Sequence, residues 1–199
     1  RLRSRGLGDV YKRQIMLVPM RAILDAADKN GYAQGAFNVN AVCQVKAAVD
    51  VHQILRSPAI IQGADLANGF MGGRTDFANS TLEDKKAGAK NIGAAVKKYA
   101  ADSDIPVALH LDHGKNFDSC IAAIEGGYTS VMIDGSSLPF DENVELTREV
   151  VKYAHERGVT VEGELGVLAG VEDHVFAATS TYTNPLLSLI HISEPTRPE

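Results

Sequence analysis

Side chains that could do chemistry follow the ends of three predicted β-strands. The apolar stretch at 107–114 (VALHLDHG) carries Asp112 and His113 near its end, and two later apolar stretches end in Asp134 and Glu164. Imidazole and carboxylate groups are suitable ligands for a divalent ion such as Zn²⁺. A carboxylate beside such an ion can also act as a general acid or base. Each residue alone could instead cap a turn or pack, but four at matched positions favour one metal-assisted active site.

His110 lies in the same stretch but is expected to have a different role. Alternate side chains of a strand share a face, which places His110 on the face of Asp112 and one pleat deeper. This position predicts a hydrogen-bonded histidine of the interior rather than a catalytic group.

The elements that must position these residues form a repeating pattern. Strands are predicted at 33–40, 59–62, 107–114, 130–134 and 159–164, and helices at 18–30, 41–55, 81–101, 117–125 and 141–155. Strict alternation of strand and helix is typical of a parallel α/β protein. The long Gly- and Asn-rich connection at 63–80 is predicted to be a functional loop, and another loop follows the fifth strand.

Two parallel architectures fit this alternation, a TIM (β/α)8 barrel and a doubly wound sheet. The barrel is favoured because polar groups follow strands one, three, four and five, whereas an open sheet gathers them at one switch point. A barrel needs eight such units and roughly 250 residues. Five units therefore predict an incomplete barrel that lacks its C-terminal side.

Composition separates the body of the chain from its two ends. Segments 1–14 and 188–199 have no structural period and resemble translated adapter sequence, so we assign the barrel domain to 15–187. The net charge of −5 includes a basic first segment, which leaves an acidic body and makes nucleic acid an unexpected partner. No apolar run is long enough for a membrane span. Cys43 and Cys120 lack a CxxC spacing and are interpreted as buried thiols of a cytoplasmic protein.

Four ordered motifs resemble those of the class II, metal-dependent ketose-bisphosphate aldolases. They are AFNVN at 36–40, HLDHG at 110–114, SVMIDGS at 130–136 and VEGELG at 161–166. The resemblance covers about 16–187 and is nearest to fructose-1,6-bisphosphate aldolases, with tagatose-1,6-bisphosphate aldolases as near relatives. It implies a cytoplasmic lyase of glycolysis that binds a phosphorylated ketose and works as a homodimer or homotetramer when full length.

The resemblance also implies roles for the strand-end residues. Asp112 corresponds to the acid/base that exchanges a proton with the C4 hydroxyl, and His113 corresponds to a ligand of the catalytic Zn²⁺. Asp134 and Glu164 resemble carboxylates that bind metal at a second or alternate position, so a second divalent or a monovalent cation is an additional expectation. Asn38 corresponds to an amide that contacts substrate.

Other expected features of the site are less complete. Glu172 matches a loop carboxylate that transfers protons in some members, with Tyr182 as an alternative. Ala64 stands where many members have a phosphate-binding serine. Two later zinc histidines and the phosphate loops of strands six to eight are absent, so we expect the 199-residue chain itself to be inactive and to bind zinc poorly.

Three other functions are alternatives to fructose-bisphosphate cleavage. A tagatose-bisphosphate aldolase fits the same motifs. A non-catalytic barrel subunit is disfavoured because Asp112, His113, Asp134 and Glu164 are all retained. A barrel metallohydrolase is disfavoured because the first strand ends in amides rather than in a pair of histidines.

Overall fold

The computed structural model describes residues 16–167, 170–172 and 175–193. The predicted adapter-like segment at 1–14 lies outside these residues, and so do 194–199 of the second segment. Residues 188–193 of that second segment belong to a helix that begins at Pro185.

The described elements alternate as the sequence predicts. In chain order they are α1 (Met20–Asn30), β1 (Ala36–Asn38), α2 (Val42–Leu55), β2 (Ala59–Ala64), α3 (Asp65–Met71), a 3-10 helix (Phe77–Asn79), α4 (Leu82–Ala101), β3 (Val107–Gly114), α5 (Phe117–Glu125), β4 (Ser130–Ile133), α6 (Phe140–His155), β5 (Thr160–Gly163), β6 (Gly170–Glu172), β7 (Val175–Ala177) and α7 (Pro185–Ser193).

The five main strands form one parallel sheet in the order β1-β2-β3-β4-β5. Neighbours in the sheet are also neighbours in sequence, so there is no reversal of strand order and no switch point of a doubly wound sheet. The prediction of an α/β fold that forms part of a TIM barrel is confirmed. All five strands therefore present their carboxyl ends at the same edge, where the predicted site residues lie.

Burial explains why these segments become strands. The first five residues of β3, Val107 to Leu111, are all buried, and the three apolar residues that begin β2 are buried too. Such strands are covered on both faces, as is usual for parallel sheets. β4 is likewise buried over its whole length.

Local signals fix the longest helix. The Thr81 side chain accepts from the Asp84 amide, while the Asp84 side chain accepts from the Thr81 amide, which is the reciprocal arrangement of a capping box. This confirms the predicted start of α4.

Two sequence predictions about non-helical regions are wrong. The connection at 63–80 contains α3 and a 3-10 helix rather than a continuous loop. The loop after the fifth strand contains the antiparallel hairpin β6–β7. In α3 the small residue Gly69 and its neighbour Asn68 are buried. Gly88 of α4 lies so close that a Cβ there would meet the Asn68 carbonyl oxygen at 1.7 Å. Close helix contact, rather than apolar periodicity, stabilises this element.

The prediction of two buried thiols is confirmed for Cys120 and wrong for Cys43, which is exposed on α2. Among the described helices, none combines the length and apolar character needed to span a membrane.

Candidate active site

The end of β3 is distorted where it carries the predicted chemistry. The register with β4 shifts between Leu111 and Gly114, and His113 has a φ of 49°, in the left-handed region that non-glycine residues rarely adopt. In a regular strand consecutive side chains point to opposite faces. Here Asp112 and His113 both line one cleft, so the distortion brings two functional groups to the same side.

His113 lies against one carboxylate from each of the next two strand ends. Its Nδ1 is 3.2 Å from Oδ2 of Asp134 and 3.5 Å from Oε2 of Glu164. All three residues are half-buried, and one ligand atom from each lies within 4.8 Å of the others. The predicted convergence of these strand ends is therefore present in the structure.

The charges of this cluster are strongly coupled. The hydrogen bond to Asp134 raises the pKa of His113 to about 9, against the opposing effect of burial. The same bond, followed by those from the Ser136 side chain and amide, lowers the pKa of Asp134 to about 2. Without a metal, His113 is a cation held between two carboxylates at neutral pH.

The donor set fits a divalent cation. Ligand atoms bound to a tetrahedral zinc ion at about 2.0–2.2 Å are separated from one another by roughly 3.3–3.6 Å. The two contacts of His113 Nδ1 are close to this spacing. One imidazole and two carboxylates could hold Zn²⁺, provided that His113 releases its proton as the metal binds. His113, Asp134 and Glu164 are the residues that would bind the ion.

Asp112 lies beside this cluster and is held by two amides. Asn38 Nδ2 at the end of β1 donates to Oδ2 of Asp112 over 3.4 Å, and Gln62 Nε2 of β2 donates to Oδ1 over 3.3 Å. The two bonds orient the carboxylate from two neighbouring strands. Asn38 is thus located at the predicted site, where it contacts the candidate acid/base directly.

Below the cleft, His110 is a residue of the interior, as predicted. It is 1% exposed, and its Nδ1 shares a hydrogen bond of 2.8 Å with the Ser130 hydroxyl. Its Nε2 is 3.5 Å from Oε2 of Glu162, but burial lowers the pKa of His110 to about 4. The imidazole is therefore uncharged at neutral pH, and this contact is not an ion pair.

The cleft itself has a volume of about 440 Å³ and is open on one side. Its lining combines the strand ends with the segment that flanks the β6–β7 hairpin, including Thr181, Tyr182 and Thr183. Tyr182 lines the cleft but is 84% exposed. The side chain of Glu172 lies outside the described residues, so its predicted role stays a prediction.

Sequence reasoning missed three residues of this region. Gln62 lies two residues before Ala64, and Glu162 lies two residues before Glu164, so each shares a strand face with a position already considered. A search for every polar residue near a strand end would have found both. Asn143 of α6 donates to the Glu164 carbonyl oxygen over 2.8 Å, and its sequence position gives no such signal.

Comparison with known proteins gives a consistent result. The family model described as fructose-bisphosphate aldolase class-II matches residues 18–189. A fructose-bisphosphate aldolase of Treponema pallidum (strain Nichols) is 46% identical over 173 residues, which cover 85% of this chain and 48% of that protein. The corresponding protein of Geobacillus stearothermophilus is 41% identical over 171 residues, covering 85% of this chain and 54% of the relative.

Solved structures agree on the architecture. The YdjI aldolase from Escherichia coli K12 superposes with a TM-score of 0.68 at 27% identity, over 90% of this chain and 57% of that one. A protein of Coccidioides immitis assigned as a fructose-1,6-bisphosphate aldolase gives a TM-score of 0.71 at 24% identity, over 87% and 56%, and supports the fold alone. The chain spans about half the length of the curated relatives that it matches.

Proposed function

The chain belongs to the class II fructose-bisphosphate aldolase family, and on that basis we propose that it carries the acid/base and part of the metal site of such an enzyme. The reaction is the reversible cleavage of fructose 1,6-bisphosphate to dihydroxyacetone phosphate and glyceraldehyde 3-phosphate. The proposal rests on one observation: Asp112, His113 and Glu164 line one cleft at the carboxyl ends of three strands, and Asp134 lies against His113.

The metal in this proposal is Zn²⁺. When bound, a divalent ion acts as a Lewis acid toward the ketose carbonyl and so stabilises the negative charge that forms when the C3–C4 bond breaks. His113 binds through an imidazole nitrogen, and Asp134 and Glu164 supply carboxylate oxygen atoms. A second divalent or a monovalent cation near the two carboxylates is part of the same proposal.

Asp112 is proposed as the general base that removes the C4 hydroxyl proton during cleavage and returns it during condensation. Asn38 and Gln62 hold its two carboxylate oxygens and so orient the group toward the cleft. Asn38 is also proposed to contact the substrate, and Glu172 to transfer a proton from the loop after β5. With Ala64 at the end of β2, phosphate binding must rely on groups other than a serine there.

Tagatose 1,6-bisphosphate is the second candidate substrate because it differs from fructose 1,6-bisphosphate only at the C4 hydroxyl, the group that Asp112 would handle. The ratio of kcat/KM for the two ketoses decides between them.

We also propose that the full-length protein is a cytoplasmic homodimer or homotetramer. We propose in addition that the barrel domain comprises residues 15–187 and that residues 1–14 and 188–199 are adapter-like segments outside it.

The decisive experiment is a chimera that joins residues 16–187 of this chain to the remaining part of the Treponema pallidum relative. We expect it to cleave fructose 1,6-bisphosphate, to lose activity in a chelator and to regain it with Zn²⁺. Asp112→Asn should lower kcat by about 100-fold or more, as expected for loss of a general base. Asp50→Asn, an exposed aspartate of α2 paired with Lys46, is the matched control and should leave kcat unchanged.

The 199-residue chain alone is expected to be inactive in the same assay. A folded chimera that shows no metal-dependent cleavage of either ketose would overturn the proposed function. Equal kcat in the Asp112→Asn and Asp50→Asn chimeras would remove the role of Asp112.

A further inference from the structure

A buried amide on α6 connects the two strand ends that carry the candidate metal-binding carboxylates. Asn143 is 2% exposed, and its Nδ2 donates to the backbone carbonyl oxygen of Glu164 over 2.8 Å. This bond acts on the main chain of Glu164 and leaves its carboxylate directed to His113.

The same side chain packs against the residue that follows Asp134. A Cβ placed on Gly135 would lie 2.4 Å from Oδ1 and 2.6 Å from Cγ of Asn143, well inside contact distance. Gly135 has no positive φ that would itself require glycine. The glycine therefore provides the space in which the Asn143 amide lies against the end of β4.

The orientation of the amide is itself fixed. The Thr147 hydroxyl, one helical turn further along α6, donates to Oδ1 of Asn143 over 3.3 Å. With its oxygen directed to Thr147, the amide presents its NH₂ group to Glu164. Buried amides with partners on both ends hold a single geometry, since any other leaves a polar atom unsatisfied.

A connection of this kind would counteract the repulsion between the two carboxylates. Asp134 and Glu164 are like charges held near one another, so each tends to move the other away. Their strands are paired through β4–β5 only as far as Ile133 and Gly163, which leaves both acidic residues beyond the last pair of the ladder.

We propose that Asn143 is a positioning residue for the metal site, which sets the separation of the Asp134 and Glu164 carboxylates by holding the ends of β4 and β5. The proposal rests on the metal-binding role assigned above. Groups that orient metal ligands without binding the ion typically contribute about 10- to 100-fold to metal affinity. Asn143 holds a ligand through its backbone, so we expect the lower end of this range, about 10-fold.

The test is titration of the 199-residue chain with Co²⁺, followed by the paramagnetic shift of the His113 ring protons. One imidazole and two carboxylates form a weak site, so the titration extends into the millimolar range. Asn143→Leu should weaken Co²⁺ binding about 10-fold. Asn68→Leu is the matched control because Asn68 is also 2% exposed, accepts a hydrogen bond from Tyr128 and is not among the residues that line the cleft. It should lower stability similarly and leave the Co²⁺ affinity unchanged.

A second pair of variants tests the contact without relying on Asn143→Leu to fold. Gly135→Ala should weaken Co²⁺ binding because its methyl group displaces the amide. In an Asn143→Ala background, where that space is empty, Gly135→Ala should have no further effect. Such non-additivity is the signature of a direct interaction between the two positions.

The outcomes separate this inference from the proposed function. If the unmodified chain shows no Co²⁺-dependent shift at His113, the metal site fails and the positioning role fails with it. If the unmodified chain binds Co²⁺ and folded Asn143→Leu binds it equally well, only the positioning role is overturned. Additive effects of Gly135→Ala and Asn143→Ala would overturn it as well.

Discussion

Two clusters of charged and polar side chains in the described part of the chain differ in charge balance. Between α3 and α4, Lys85 forms an ion pair with Asp65, whose side chain is 2% exposed, and the hydroxyl of Tyr128 donates to Asn68 over 2.7 Å. The charges of Lys85 and Asp65 balance each other, and the Tyr128 hydroxyl has its acceptor in Asn68. Such a balanced set is complete within the protein.

The group at the strand ends is not balanced. His113 faces the carboxylates of both Asp134 and Glu164, and Asp112 and Glu162 line the same cleft. Burial, and secondarily the negative charge of Asp112, raise the pKa of Glu162. Four carboxylates around one imidazole leave an excess of negative charge that a bound cation would neutralise. The two clusters therefore differ in charge balance, and the strand-end cluster has the excess of carboxylates expected of the proposed metal site.

The largest expected loss of stability comes from a substitution that removes the cation of the balanced cluster. Lys85→Met leaves Asp65 buried without its cation, so the free energy of unfolding should fall by about 3–5 kcal/mol in urea titrations. Lys86→Met is the matched control, since Lys86 is a neighbour on α4 that pairs with the exposed Glu83 and should contribute about 0–1 kcal/mol. Co²⁺ affinity should be the same in both folded variants. A lower affinity in Lys85→Met would show that the two clusters are coupled.

A smaller, solvent-screened effect should appear as a pH dependence of stability in the metal-free chain. The pKa of His113 is raised to about 9, so its contribution is complete below its ordinary pKa of 6.5 and is lost as the pH rises through 9. The pKa of Asp134 is lowered to about 2, so its contribution is complete above 3.8 and is lost as the pH falls through 2. The pair is therefore most stabilising between about pH 4 and 6.5.

Thermal unfolding across this range, compared between the chain and His113→Gln, measures that contribution. The difference in Tm should be greatest at about pH 5 to 6 and should shrink toward pH 10. A constant difference would show that the cluster does not interact electrostatically as described.

The sequence was sufficient for the strand-end cluster because parallel topology brings strand ends together. Alternation of strand and helix predicted the sheet, and four polar residues at strand ends then predicted His113, Asp134 and Glu164 as neighbours. The start of α4 at residue 81 was predictable because the capping box of Thr81 and Asp84 is a local signal.

The balanced cluster was not predictable in the same way. The Gly- and Asn-rich segment of α3 looks like a loop, and only its close approach to Gly88 makes it a helix of the core. Asn143 and Gln62 were missed for a related reason. Asn143 is 21 residues from its partner Glu164, and Gln62 is 50 residues from its partner Asp112. A local sequence pattern cannot predict contacts over such separations.

Metal binding should stabilise the strand-end cluster by a moderate amount. A ligand that binds only the folded chain adds about 1.4 kcal/mol to the free energy of unfolding at ten times its dissociation constant. Zn²⁺ or Co²⁺ should therefore raise the Tm, and a chelator should reverse the increase. The increase should persist in Lys86→Met and be absent in His113→Gln. An equal increase in His113→Gln would place the bound metal elsewhere.

Glu164→Gln is expected to have the smallest effect on the stability of the metal-free chain, whereas Lys85→Met is expected to have the largest. The substitution removes one of the surplus carboxylates while keeping the size of the side chain, so the free energy of unfolding should change by less than about 1 kcal/mol. Co²⁺ binding should nevertheless disappear from the millimolar range of the titration, because loss of a ligand should weaken binding more than loss of a group that only orients one.

Glu145→Gln is the matched control for this contrast, since Glu145 is an exposed residue of α6 that pairs with Arg148. It should change neither stability nor metal affinity measurably. A large loss of stability in metal-free Glu164→Gln would mean that Glu164 is balanced by His113 as Asp65 is by Lys85. The strand-end cluster would then be a structural ion pair, and its excess of carboxylates would no longer argue for a cation.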